Sequence, residues 1–358
     1  MSVPVWSSGV LMSRRVSGVV ACALALSLSV SACSGGAEDT PAAGSTKAAA
    51  ASATPSEAPY GEPAVASDAE ALAALQDYNR RNNAVIVAFR KPPYTLARWK
   101  TVDGGAILAE DAYDTRAAAH GFVQPDNRWV FQRVVKVYAP PSKTWPKEML
   151  VAADSRVLKR PPDAPRPDRR FVGLGRFVQP AEGAPWLHVA SGYAVRARLP
   201  QPAPAGPEAI PTDADRARAV ELAQELPAYW SGGTAPAGFA GTKFIDQPRT
   251  YRTEQLKRGI HRDIKYDVRL LDGPDSVHAY RAQGGVLVLA SYRSTVTFTA
   301  VTTLFWTEAS NKAVWGAQAR PVLRRTEVVG ATFFVPDSGK ARPLGYYRND
   351  ALFGGAAQ

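Results

Sequence analysis

Cysteine is almost missing from this chain: 358 residues contain two, Cys22 and Cys33. Cys22 falls inside an apolar N-terminal run, so a processed protein keeps one thiol and cannot form an internal disulfide. Histidine is scarce as well. His120, His188, His261 and His278 show no two-ligand spacing on a helix or hairpin, which argues against a metal centre. No G-x-S-x-G elbow is present, and Gly173-Leu174-Gly175 lacks the third glycine of a dinucleotide loop, so these read as strand and turn glycines. HRDIK at His261–Lys265 imitates a kinase catalytic loop, but Val268 stands where the magnesium-binding Asn belongs and no DFG follows. Ile264, Tyr266, Val268 and Leu270 instead alternate as in a strand. No cofactor is implied.

What is present begins with an export signal. Met12-Ser13-Arg14-Arg15 forms a short positive region, and Val16–Val30 is an apolar run too short to span a bilayer comfortably. Val30, Ser31 and Ala32 then lead into Cys33 as one aliphatic and two small residues. This arrangement resembles the bacterial lipobox. The resemblance implies that the Cys33 sulfur receives a diacylglycerol, that cleavage makes Cys33 the first residue, and that a palmitate-like chain caps its amine. Two or more chains make a durable anchor, since each buried methylene contributes about 0.8 kcal/mol. The expectation is a lipoprotein signal at 1–32 and a protein held on the outer face of the cell membrane. Ser13-Arg14-Arg15 matches a twin-arginine signal poorly, so the Sec route is expected. Met12 serves equally well as the start.

A hydrophobic share of 46% excludes disorder of the whole chain. Residues 33–66 are nonetheless Ala, Ser, Thr, Gly and Pro with few large apolar groups, and read as a flexible tether. Ser67 is a candidate N-cap before DAEALAALQDYNRRNNAVIVAF, and GGAILAEDAYDTRAAAH at 104–120 is a second helical stretch stopped by Gly121. The period then changes to two in RWVFQRVVKVYA, EMLVAA, RRFVGLGRFVQ and WLHVASGYAVRA, which reads as antiparallel strands. LPQPAPAGPEAIP at 199–211 is a Pro-rich linker. Beyond it the plan recurs: Thr212 and Asp213 cap a helix, TEQLKRG is helical, and RDIKYDVRLL, SVHAYRAQ, GGVLVLASYRSTVTFTAV, KAVWGAQARPVL and EVVGATFFVP read as strands. Helices followed by a meander, twice, argue for an α+β class with two similar domains at 67–198 and 212–345 and a tail at 346–358.

The successions YNRRNNAVIVAF…GGAILAEDAYD and HAYRAQGGVLVLASYRSTVTF resemble a family of uncharacterised actinobacterial lipoproteins. The resemblance covers most of residues 68–336 and implies a duplicated unit of helices on a curved antiparallel sheet, NTF2-like or cystatin-like. It brings no catalytic residues. Cones of this kind often enclose a pocket with an acid or base, and the helix at 104–120 supplies candidates: Asp111, Tyr113, and above all Asp114 and His120, with a helix-capping role for His120 as the plainer alternative.

The net charge is +11, and Arg14 and Arg15 account for only two of these charges. Lys159, Arg160, Arg166, Arg169 and Arg170 cluster in KRPPDAPRPDRR, a basic arm suited to anionic surfaces. Outside the membrane the relevant polyanions are phospholipid headgroups and acidic envelope polymers rather than nucleic acid. The dispersed Trp99, Trp129, Trp186, Trp230, Trp306 and Trp315 suit core packing, or a sugar-binding platform if exposed. The expectation is therefore a non-enzymatic envelope module that binds or scaffolds an envelope polymer or protein. An NTF2-like hydrolase or isomerase, and the solute receptor of a transporter, are the alternatives. A receptor fits less well because such lobes alternate strands and helices.

Overall fold

The computed structural model describes residues 60–122, 128–158 and 169–357. The first half comprises β1 (Glu62–Pro63), α1 (Asp68–Ala88), α2 (Leu96–Trp99), α3 (Gly105–Ala119), β2 (Trp129–Tyr138), β3 (Pro141–Ser142), β4 (Lys147–Val157), β5 (Phe171–Gln179) and β6 (Leu187–Val195). The second comprises α4 (Asp213–Trp230), α5 (Gln247–Lys257), β7 (His261–Pro274), β8 (Val277–Ala282), β9 (Gly285–Leu304), α6 (Ala309–Trp315), β10 (Arg320–Pro336) and β11 (Arg342–Ala357). The protein is α+β, with antiparallel sheets throughout. Sheet one has the order β2-β4-β5-β6; sheet two has the order β11-β10-β9-β7, with β8 also paired to β9. β1 and β3 form a separate two-stranded piece.

The long helices start where their caps dictate. Ser67 Oγ accepts from Glu70 N at 3.2 Å, and Glu70 Oε2 accepts from Ala66 N at 2.6 Å. At α4, Thr212 Oγ1 accepts from Asp215 N while Asp215 accepts from Thr212 N, a reciprocal capping box. α1 buries Ala71, Leu75, Tyr78 and Ile86, spaced three, four or eight apart along one stripe.

The alternation of β5 and β6 gives sheet one two different apolar faces. Met149, Val151, Ala153 and Phe177 pack under α1. Leu150, Ala152, Val172, Leu174 and Ala190 point the other way and meet Leu287, Leu289, Phe334 and Leu344 of sheet two. The second sheet's far face carries Val288, Ala290, Val329, Ala331 and Phe333 against Leu222, Leu226 and Trp230 of α4. The result is four layers, α-β-β-α. It explains why the first eight residues of β9 are buried on both faces and read as a continuous apolar run rather than an alternation. Gly192 allows the sheets to close: a Cβ there would stand 2.6 Å from Leu289 Cδ1. The 199–211 segment separates the strands of sheet one from those of sheet two in sequence, and the shared core joins the two sheets in space.

Three local expectations change. KAVW, read as strand, is the end of α6, a single helical run between Glu308 and Gly316, whose φ of 83° ends it. The two strands expected around RPVL and EVVGATFFVP are one, β10, whose pairing with β11 absorbs register shifts near Thr326 and Glu327. Residues 346–357, read as a tail, continue β11 and pair with β10 as far as Leu323↔Ala357.

Candidate functional site

Of the residues singled out for chemistry, His120 is exposed at the C-terminal end of α3, where its backbone N–H donates to Arg116 O and Ala117 O. Asp114 is half-buried on the same helix. Six residues apart, the two point roughly 120° from one another around the axis, so α3 does not bring them together. The lipobox residues Val30, Ser31, Ala32 and Cys33, and Lys159, Arg160 and Arg166 of the basic arm, lie outside the described residues. Arg169 and Arg170 are exposed, and their carbonyls accept from Arg196. HRDIK lies in β7, its His261 opposite Ala300 of β9. Burial and the Arg258 charge lower the pKa of that imidazole. Among the described residues no three His, Cys, Asp or Glu groups assemble as a metal site.

The structure does assemble a buried polar chain that the sequence does not advertise. After α2 the backbone is pinned to β6: His188 N donates to Val102 O at 3.0 Å and Gly104 N donates to His188 O at 2.9 Å. Gly105 takes φ +47°, and a Cβ there would lie 2.8 Å from Val189 O, so the tight approach requires glycine. This places the buried Asp103 carboxylate where Tyr78 OH of α1 donates to it at 2.8 Å. Tyr78 OH lies 3.5 Å from His188 Nδ1. On β6 the register with β5 skips Val189. This bulge turns His188 and Ser191 to the same side, with Ser191 Oγ 3.2 Å from His188 Nε2. Phe177 stacks on the imidazole at 4.8 Å.

The polar belt continues along α3. Glu110 and Asp111 are buried, and Tyr347 OH donates to Glu110 at 3.4 Å. Tyr193 packs 5.6 Å from Tyr347, and burial together with the Glu110 charge raises its pKa. Tyr113 donates to Asn311 Oδ1 and stacks on Trp315, while Asn311 Nδ2 donates to Glu308 at 3.0 Å. A serine hydroxyl beside a histidine Nε2 is the arrangement through which imidazole can take a nucleophile's proton. Here the ring is closed in by Phe177 and Tyr78, and His188 is 8% exposed. No sequence motif marks the chain, because Tyr78, Asp103, His188 and Ser191 come from three elements joined only by strand pairing.

A second feature is open to solvent. A groove of about 210 Å³ runs between β1, the end of β2, residues 202–209 and β8. It is walled by Pro63, Pro140, Pro141 and Pro202, with Tyr138 and Arg281 among its polar groups. Those two are already engaged. Tyr138 OH donates to Pro200 O at 2.6 Å, and Arg281 pairs with Asp215 and Asp337 at 3.3 and 3.2 Å. The groove therefore offers proline ring surface beside these engaged groups, with the Asp68 carboxylate also on its wall.

Neither family models nor curated proteins give a match to this chain.

Proposed function

We propose that the protein is an extracytoplasmic lipoprotein, anchored through Cys33, whose folded part is a non-enzymatic binding or scaffolding module of the cell envelope, built as two related NTF2-like or cystatin-like units. The observation that carries the binding reading is the use of space. The faces of the two sheets fill one another with aliphatic and aromatic side chains, while the groove at the surface presents proline rings, the engaged Tyr138 and Arg281, and a single carboxylate, Asp68, rather than a convergent acid and base. The ligand class that suits such a lining is an apolar or proline-rich segment of an envelope protein. Acidic envelope polymers would meet Arg169 and Arg170 instead. The lipobox resemblance carries the address. Cys33→Ser should move the protein from the membrane fraction to the soluble extracytoplasmic fraction, and full membrane retention of that variant overturns the anchor.

The catalytic alternative has one supporting observation, the 3.2 Å Ser191–His188 contact. Covalent labelling of Ser191 by a fluorophosphonate would establish it against the binding-module reading.

A further inference from the structure

The far end of sheet two displays apolar side chains among cations. Three large hydrophobic residues are more than half exposed there: Ile260 at 53%, Val301 at 62% and Phe305 at 57%. They form a neighbourhood, since Val301 N donates to Ile260 O at 3.0 Å and Phe305 follows the last residue of β9. The backbone that carries them is firmly seated. Phe298, Leu304, Trp306 and Leu323 are buried directly beneath, with Trp315 against Trp306 at 5.7 Å. Lys257, Arg258 and Arg262 flank Ile260 in the chain, Arg320 pairs with Leu304 beside Phe305, and Lys312 follows on α6, all five exposed. Of the nearby acids, Glu308 accepts from Asn311, and Asp263 faces Arg252 and Lys265 at 3.7 and 3.8 Å. The tip is cationic on balance.

We propose that this tip docks on a bilayer containing anionic phospholipid. The cations meet the headgroups while Ile260, Val301 and Phe305 enter the boundary with the acyl chains. Charge complementarity alone would suit any polyanion. A hydrated polymer, however, gives three exposed hydrophobic side chains nothing to enter, whereas apolar residues ringed by Lys and Arg are the composition that partitions into a membrane interface. The proposal stands apart from acylation of Cys33 and is testable without it.

The test uses the full chain with Cys22→Ser and Cys33→Ser, so that a single introduced cysteine carries a nitrobenzoxadiazole probe. With the probe at Phe305→Cys, vesicles of mixed phosphatidylglycerol and phosphatidylcholine should shift its emission to the blue, and phosphatidylcholine alone should not. The same probe at Val87→Cys, exposed on α1 at 48%, should stay in water. That control also separates tip docking from insertion of the N-terminal apolar run. Arg258→Glu with Arg262→Glu should weaken vesicle binding about 25-fold, roughly fivefold per lost cation and more where repulsion replaces it. The proposal is overturned by a probe at 305 that stays in water with anionic vesicles. An equal shift with soluble dextran sulfate, an equal shift at 87, or a shift caused by protein concentration alone overturns it too.

Discussion

Gly192 of β6 and Leu289 of β9 face each other where the two sheets close, and exchanging atoms between them tests the four-layer packing directly. A Cβ at Gly192 would stand 2.6 Å from Leu289 Cδ1 and 2.9 Å from Thr332 Oγ1, while Leu174 Cβ at 3.7 Å is ordinary contact. Gly192 does not need a left-handed conformation, so Gly192→Ala introduces crowding without backbone strain and should cost about 1–3 kcal/mol. Leu289 is fully buried, and Leu289→Ala should cost about 2–5 kcal/mol through lost burial and the cavity left behind. In the double variant the clashing methyl is gone and the new one fills part of its space. The combined cost should fall short of the sum by about 1 kcal/mol, with the Thr332 contact limiting the rescue. Urea unfolding followed by tryptophan fluorescence measures all four proteins. Gly192→Ala with Leu226→Ala is the control, since Leu226 lies in the core on the other face of sheet two, and this pair should add. Additivity of Gly192 with Leu289 to within about 0.5 kcal/mol, or equal coupling in the control, would refute the face-to-face packing.

Two further perturbations address charge at the same interface. Burial and the Arg176 charge push the pKa of half-buried His278 down to about 3, against roughly 6.5 unfolded. Between these values the unfolded chain takes up a proton that the folded one refuses. Stability is therefore full above about pH 6.5 and falls as the pH drops below it, by about 1 kcal/mol between pH 7.5 and 5.5. His278→Gln should flatten that slope in denaturant midpoints at the two pH values, and identical slopes would contradict the assignment. Glu148 Oε2 accepts from Arg176 Nε and Nη2 at 2.9 and 2.6 Å and from Tyr280 OH at 3.3 Å, which links sheet one to β8. Glu148→Ala leaves the guanidinium half-buried without its counter-charge and should cost about 1.5–3 kcal/mol in thermal or urea unfolding, with Glu148→Gln milder. Equal stability of wild type and Glu148→Ala would show that the cluster contributes nothing.

Local structure was the legible part of the sequence. Ser67 and Thr212 announce α1 and α4 because a side-chain oxygen before an apolar-periodic run has one backbone task there, and the period-two runs at β2, β5 and β6 follow from the pleat. Stacking of the two sheets was not legible. Leu150 and Val151 both point into cores, and an apolar residue does not say which element will cover it. The end of β11 leaves no such pattern because its pairing uses backbone groups of β10, which Gly354, Gly355 and Ala356 satisfy as well as any valine would. In the candidate site the sequence points to α3 and, among its candidates, to Asp114 and His120 ahead of Asp111 and Tyr113; the groups the helix buries are Glu110, Asp111 and Tyr113. The Tyr78–Asp103 and His188–Ser191 contacts depend on a bulge and a pinned turn, and neither leaves a composition signal.

The contact between Tyr347 and Glu110 spans 237 positions, and it sets an order of events during synthesis. A chain delivered N-terminus first makes α3 early, yet the groups that cover its inward face, Asn311 and Trp315 of α6 and Tyr347 of β11, arrive near the end. Until they do, Glu110 and Tyr113 face solvent and the first half has an unfinished side. Completion of the fold therefore waits for β11, and a ribosome or translocon that stalls before it leaves a body with the inward face of α3 uncovered.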